Sequence, residues 1–193
     1  RVLFRSGYGG CGMRYFILKQ DPAYQAVAPA VLKWHHKIDV RRIQRMHAAD
    51  FPEVQLLLID GDGRIVFPDV IVFPFLLVSE MVRDVIWMYE PHTIFKKIVL
   101  LNRPGRQKAL YYMPVLEQVT CLDPSSDISP DRRHIRHCVL QYPAIRDKGI
   151  FFIGNLNKQY TVLRLDAAES MFHRRAKGIG LDPVEVKEDM GDG

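Results

Sequence analysis

Cysteine is scarce in this chain of 193 residues: there are three, at positions 11, 121 and 138. So few, and an odd number, make no even framework of bridges, so the thiols read as reduced and the setting as cytoplasmic. Long apolar runs are scarce too. The longest, residues 56–59, 70–78 and 98–101, fall well short of the roughly 18 residues that suggest a membrane span. The amino terminus lacks an apolar core followed by small-residue cleavage chemistry, so no secretion signal is read. No fixed-period repeat and no low-complexity segment occurs, which excludes a repeat array. Phosphate-cradling G-x-x-x-x-G-K-[ST] is missing. The pair Gly178-Ile179-Gly180 follows an expected helix instead of opening one, which excludes the dinucleotide fingerprint.

What is present is ordinary globular material. Apolar residues make up 48% and charged residues 25%, enough to build a core. Residues 1–12, RVLFRSGYGGCG, look unlike the rest and read as a non-native or disordered leader, with Met13 the expected natural start. Without Arg1 and Arg5, 25 basic residues face 22 acids, a weak bias that does not by itself argue for nucleic acid.

The densest apolar stretch, residues 70–101, organises the chain. Residues 70–73 and 76–78 read as extended, and Ser79 is an N-cap whose hydroxyl can accept from a first-turn amide. A helix over about 80–90 then has Met81, Val82, Val85, Ile86, Met88 and Tyr89 on one face and Glu80, Arg83, Asp84 and Trp87 on the other. Pro91 stops it. Before this stretch, residues 13–20 form a strand with two apolar faces, which belongs inside a sheet. Residues 55–59 and 64–67 flank Asp60-Gly61-Asp62-Gly63, a hairpin signal. After it come strands at 95–101, 109–113, 134–141, 149–153 and 159–164. Pro114 is expected to break the second of these. Residues 123–133, DPSSDISPDRR, read as an exposed loop or a soft boundary. A second helix over about 167–177 has Asp166 as cap, Glu169 completing a capping box, and Gly178 at C′. Residues 181–186 make a last strand, and 188–193 a disordered tail. The fold class is α+β: a mostly antiparallel sheet of about eight strands with two amphipathic helices, in one domain over 13–187.

Candidates for chemistry have plainer explanations. Ser79 lacks the G-x-S-x-G elbow, and its cap role suffices. The Asp60–Gly63 run lacks the remaining ligands of a calcium loop. His35-His36 and the group His134, His137, Cys138 lack converging ligand spacing for zinc. Neither Cys121 nor Cys138 has a helix-start setting that would lower its pKa. The basic groups, Arg41/Arg42/Arg45, Arg103/Arg106, Arg132/Arg133/Arg136 and Arg174/Arg175/Lys177, are interspersed with acids. No catalytic residue, cofactor or metal is assigned. The sharper anomaly is Trp87, which falls on the polar side of its helix beside Arg83 and Asp84. Exposed Trp and Arg are typical anchors of protein interfaces, so Trp87, Arg83 and Asp84 form the candidate partner-binding site.

Residues 75–91, FLLVSEMVRDVIWMYEP, resemble the "LLVSE" strand–helix core of a family of immunity proteins of bacterial polymorphic toxin systems. MRYFILKQD, KIDVRRI, FKKIVLLNR, YTVLRLDAAES and RRAKGIGL are also similar to small bacterial proteins near that family, so the likeness spans most of 13–186. Its motifs are structural, and no catalytic residue carries over. The resemblance implies a non-enzymatic cytoplasmic protein that neutralises a cognate protein toxin by occluding it. The alternative is a nucleic-acid-binding or enzymatic domain with an unrecognised site.

Overall fold

The computed structural model describes residues 13–60, 65–103 and 106–188. The expected leader, the Gly61–Gly63 part of the hairpin turn and the tail beyond Glu188 lie outside them. In chain order, the first elements are β1 (Tyr15–Gln20), β2 (Ala30–Val31), β3 (Val54–Asp60), β4 (Val70–Ile71), β5 (Leu77–Val78) and α1 (Glu80–Tyr89). Then come β6 (Ile94–Asn102), β7 (Gln107–Val115), β8 (Gln118–Val119), β9 (Asp127–Ile128), β10 (Ile135–His137) and β11 (Val139–Gln141). The chain closes with α2 (Tyr142–Ile145), β12 (Ile150–Ile153), β13 (Thr161–Arg164), α3 (Leu165–His173), β14 (Ile179–Pro183) and β15 (Glu185–Lys187). Short 3-10 turns fill most of residues 22–50.

The class is α+β, but the sheet differs from the expectation. In place of one mostly antiparallel sheet there are two principal ones, of six strands (β2-β3-β6-β7-β5-β4) and five strands (β14-β1-β13-β12-β8). Two ribbons, β9/β10 and β11/β15, complete the described strands. Three pairings are parallel: β3 with β6, β8 with β12 and β11 with β15. The β3/β6 pair explains why the hairpin expected at Asp60 does not form. The sides of β3 are taken by β2 and β6, and residues 65–67 are in no strand. A parallel pair needs a crossover, and the connection through β4, β5 and α1 supplies it.

Local signals account for α1. The Ser79 hydroxyl accepts from the Val82 amide at 3.5 Å, Glu80 sits in the first turn, and Pro91 follows the last. Val82, Val85 and Ile86 are buried. Met88, expected on that face, is 64% exposed, because it lies at the edge of the apolar arc. The second principal helix, α3, is shorter and earlier than expected. It follows β13 directly, its N-cap is Arg164, and no side chain caps it. Asp166 is therefore inside the first turn, where its carboxylate takes the Arg164 guanidinium and the Ala167 amide instead of closing a capping box. The guanidinium holds the Asp166 carboxyl below its ordinary range. Pro114 does not break β7, which runs through it opposite Phe95.

The strand β1 lies inside its sheet, as two apolar faces require, between β13 and β14. Its faces serve two cores. Leu18 joins Ile150, Phe152, Leu163 and Ile179 in the larger core, with α1, α3 and the six-stranded sheet. Tyr15 and Ile17 join Phe151, Val162, Leu140 and Ile145 in the smaller one. The two sheets meet at a seam. The Gln20 side-chain amide donates to the carbonyls of Val70 and Gly178, and Val70 N–H donates to Lys177 O. Residues 123–133, expected as a loop or boundary, are tied down. Ser126 exchanges hydrogen bonds with Val139, and Arg132 O accepts from Asn157. No helix among the described residues is long and apolar enough to cross a membrane.

Candidate interaction surface

The alternation of β3, β6 and β7 places their residues on two faces. In register, Leu57, Leu100 and Ala109 share one face, and Leu56, Val99 and Leu110 share the other. The first is core, with Leu57, Ile59, Ile98, Leu100, Tyr111 and Met113 all buried. The second is split in two. At its β7–β5–β4 end, α1 packs on β7 and β5, and Tyr112, Val78 and Val70 are buried. At its β3–β6–β7 end no element covers it among the described residues. There Val54 is 55%, Leu56 42% and Leu110 50% exposed, while Leu58, Val99 and Leu101 are half-buried. Lys97 and Lys108 stand on the same face, exposed and without a carboxylate partner among the described residues.

The outer side of α1 borders this open half-face. The Arg83 guanidinium lies over the Tyr112 ring, 4.4 Å from its centre, so helix and sheet join through a cation–π contact. Arg83 is otherwise engaged. Its Nε and Nη2 donate to one Asp84 oxygen at 2.9 and 2.6 Å, and Glu80 stands at 3.2 Å. Trp87, one turn further, is 60% exposed. Its Nε1–H donates to the Pro91 carbonyl at 2.7 Å, which fixes the ring. A fixed, exposed indole binds a partner with little loss of rotamer freedom. The expected trio thus divides: the Trp87 ring is exposed, whereas Arg83 and Asp84 satisfy each other.

On the other flank of α1, Met88 meets α3. Its sulfur lies 3.7 Å from Arg174 Nη2. Tyr89 OH donates to Asp166 O and shares a hydrogen bond with Ser170 Oγ, which locks the two helices together. Phe172 of α3 is 40% exposed.

No protein-family model matches this chain, and no curated protein matches it.

The remaining candidates sit elsewhere. His35 and His36 are on a 3-10 turn, and their ring centres lie 4.1 Å apart with the planes tilted by 49°, where a strand would have parted them. The strand alternation expected for 134–138 stops short, because β10 ends at His137. His137 Nε2 lies 3.3 Å from a Glu185 oxygen, and the His134 amide donates to Ser129 Oγ. Among the described residues no group of three or more His, Cys, Asp or Glu is placed to hold a metal. Burial pushes the Cys121 thiol up to about 12 and the Cys138 thiol up to about 11, so both are protonated and weakly nucleophilic near neutrality. Several basic groups are paired: Arg41 with Asp39, Arg42 with Asp50 and Arg136 with Asp127.

A cleft of about 490 Å³ opens on the side where Val40, Arg41 and Gln44 approach the end of β12. Arg132, Lys158 and the carboxamides of Gln118, Asn155, Asn157 and Gln159 also line it. The sequence does not announce either of these features. Leu56 and Leu110 look like core residues in apolar strands, and only the lysines beside them, Lys97 and Lys108, hint that this face meets water. The cleft is assembled from loops distant in sequence, for which no spacing signal exists.

Proposed function

We propose that this protein acts by binding a protein partner through the open half-face of the six-stranded sheet and the adjoining outer side of α1. The partner we propose is a protein toxin, neutralised by occlusion, as the likeness of residues 75–91 to the immunity family suggests. One observation carries the binding reading: Val54, Leu56 and Leu110 are exposed on one face of the sheet, and the outer side of α1, which bears the exposed Trp87, joins that face through Arg83 over Tyr112. A contiguous apolar patch with a polar rim is the usual composition of a docking site. Lys97 and Lys108 on that face call for carboxylates on the partner, which would steer the encounter. A complex of ordinary size would cover about 800 Å² on each partner. The raised thiol pKa values of Cys121 and Cys138 argue against a thiolate nucleophile at either position.

The test is co-expression with the product of the adjacent gene, followed by pull-down and a growth assay. Complex formation and rescue of growth are the expected results. Failure to bind or to neutralise that product sinks the toxin assignment. Trp87→Ala and Leu110→Asp should each weaken the complex by roughly 30-fold or more, the effect of losing about 2 kcal/mol at a hot spot. If both variants bind as tightly as the wild type while folding normally, the face is wrong.

A further inference from the structure

The cleft beside β12 is chemically unlike the apolar face and independent of it. Its lining residues include three cations, Arg41, Arg132 and Lys158, and no carboxylate. Asp39 offsets Arg41 by taking its Nε and Nη2. The other two have no carboxylate partner among the described residues. Among the described residues Arg132 spends only its Nε, on the Asn155 carbonyl at 2.5 Å, which leaves both terminal amino groups for a ligand. The Lys158 ammonium rests 5.3 Å from the centre of the Tyr160 ring. The lining therefore includes two cations without a carboxylate partner among the described residues, one of them a planar fork.

The backbone is held in an unusual form to achieve this. Arg132 (φ 54°) and Asn155 (φ 59°), which are hydrogen-bonded to each other, both lie in the left-handed region. Such residues cost of order 1 kcal/mol each and persist where the surroundings over-determine them. Here Arg132 N–H is held by Ser129 O, Arg132 O by Asn157 N–H, and the Asn155 side chain by Thr120 Oγ1. The carboxamide wall is oriented as well. Asn157 uses its NH2 on Asp131 O, which leaves its oxygen as an acceptor. Gln159 uses its oxygen on Leu76 N–H, which leaves its NH2 as a donor. Asn157 thus keeps an acceptor and Gln159 a donor on the cleft lining, the two kinds of group that the polar edge of a nucleobase takes.

We propose that this cleft binds a nucleoside 5′-monophosphate. Arg132 and Lys158 take the phosphate, and Asn157 and Gln159 face the base. A phosphomonoester carries about −1.5 to −2 charge at neutral pH, which matches the two free cations. The guanidinium fork suits its oxygens. The volume, about 490 Å³, lies within the range of small-ligand sites.

The test is calorimetric titration of the full chain at constant ionic strength with adenosine 5′-monophosphate, inorganic phosphate, adenosine and succinate. The monophosphate should bind at least about tenfold more tightly than phosphate alone, and adenosine and succinate should not bind measurably. Lys158→Ala and Arg132→Lys should each weaken monophosphate binding about tenfold or more, the former leaving the melting temperature unchanged. No monophosphate binding overturns the proposal, and so does binding unaffected by Lys158→Ala. Succinate binding as tightly as the monophosphate overturns the phosphate assignment. Equal affinity for phosphate and monophosphate overturns the role of Asn157 and Gln159.

Discussion

The two principal sheets differ in what they do with their second face. The five-stranded sheet is used twice. One side of β1 and β12 feeds the larger core through Leu18 and Phe152, and the other feeds the smaller core through Ile17 and Phe151. The six-stranded sheet buries most of one face and half of the other, and leaves Leu56 and Leu110 in water. A sheet sandwiched between two cores is committed to stability. A half-covered sheet keeps apolar surface in water, which is why the proposed binding surface is placed there.

Stability measurements should separate the two. Phe151 is fully buried and packs edge-on against Tyr15, with ring centres 6.3 Å apart. Phe151→Ala should cost about 3–5 kcal/mol in urea unfolding. A loss under about 1 kcal/mol would mean that the smaller core is not a structural necessity. Gly178 at the seam has φ +88°, and a Cβ there would meet Pro68 Cβ and Val70 O at 2.7 Å. Gly178→Ala should therefore destabilise by about 1–3 kcal/mol in the same assay, and an unchanged midpoint would show that the seam yields. At the other extreme, Leu110→Ser should change stability by no more than about 0.5 kcal/mol, because the side chain is already half in water. A larger loss would mean that the face is covered in the free protein.

The pH dependence probes the ribbon side of the smaller core. Asp123 accepts from the hydroxyl and amide of Ser125 and from Lys187 Nζ, and these hold its carboxyl at about 2, against an ordinary 3.8. A depressed folded pKa favours the native state above the ordinary value, and that contribution is lost as pH falls through about 2. The wild type should lose melting temperature between about pH 4 and pH 2, and Asp123→Asn should lose less over that window. Equal slopes would exclude Asp123 from the acid response.

What was legible in the sequence was local. The Ser79 cap, the apolar spacing of Val82, Val85 and Ile86, and Pro91 together define α1 to its observed ends. The two apolar faces of residues 15–18 place β1 inside a sheet. The α3 boundaries were less legible, because Asp166 and Glu169 resemble a capping box whether or not the strand before them runs straight into the helix, as β13 does. Strand partners were not legible at all. A turn signal after residues 55–59 favours the nearest apolar run, whereas β3 pairs with β6, across α1. The open half-face was hidden for the same reason. Apolar alternation shows that Leu56 and Leu110 could be covered, but not that α1 stops short of them. Trp87 was legible because it broke the polar side of a helix.

An uncovered apolar sheet face beside a strand end invites chains to add edge to edge. Here β2 covers only the far end of β3, at Ile59 and Asp60. The next two outward carbonyls are taken by other means: Leu58 O by the Leu32 amide and Leu56 O by the Lys37 ammonium, each at 2.8 Å. An ammonium seated on the edge of a strand blocks a new strand from pairing there. The protein can then offer its face without offering its rim, so crowding should bring it into discrete complexes rather than fibres.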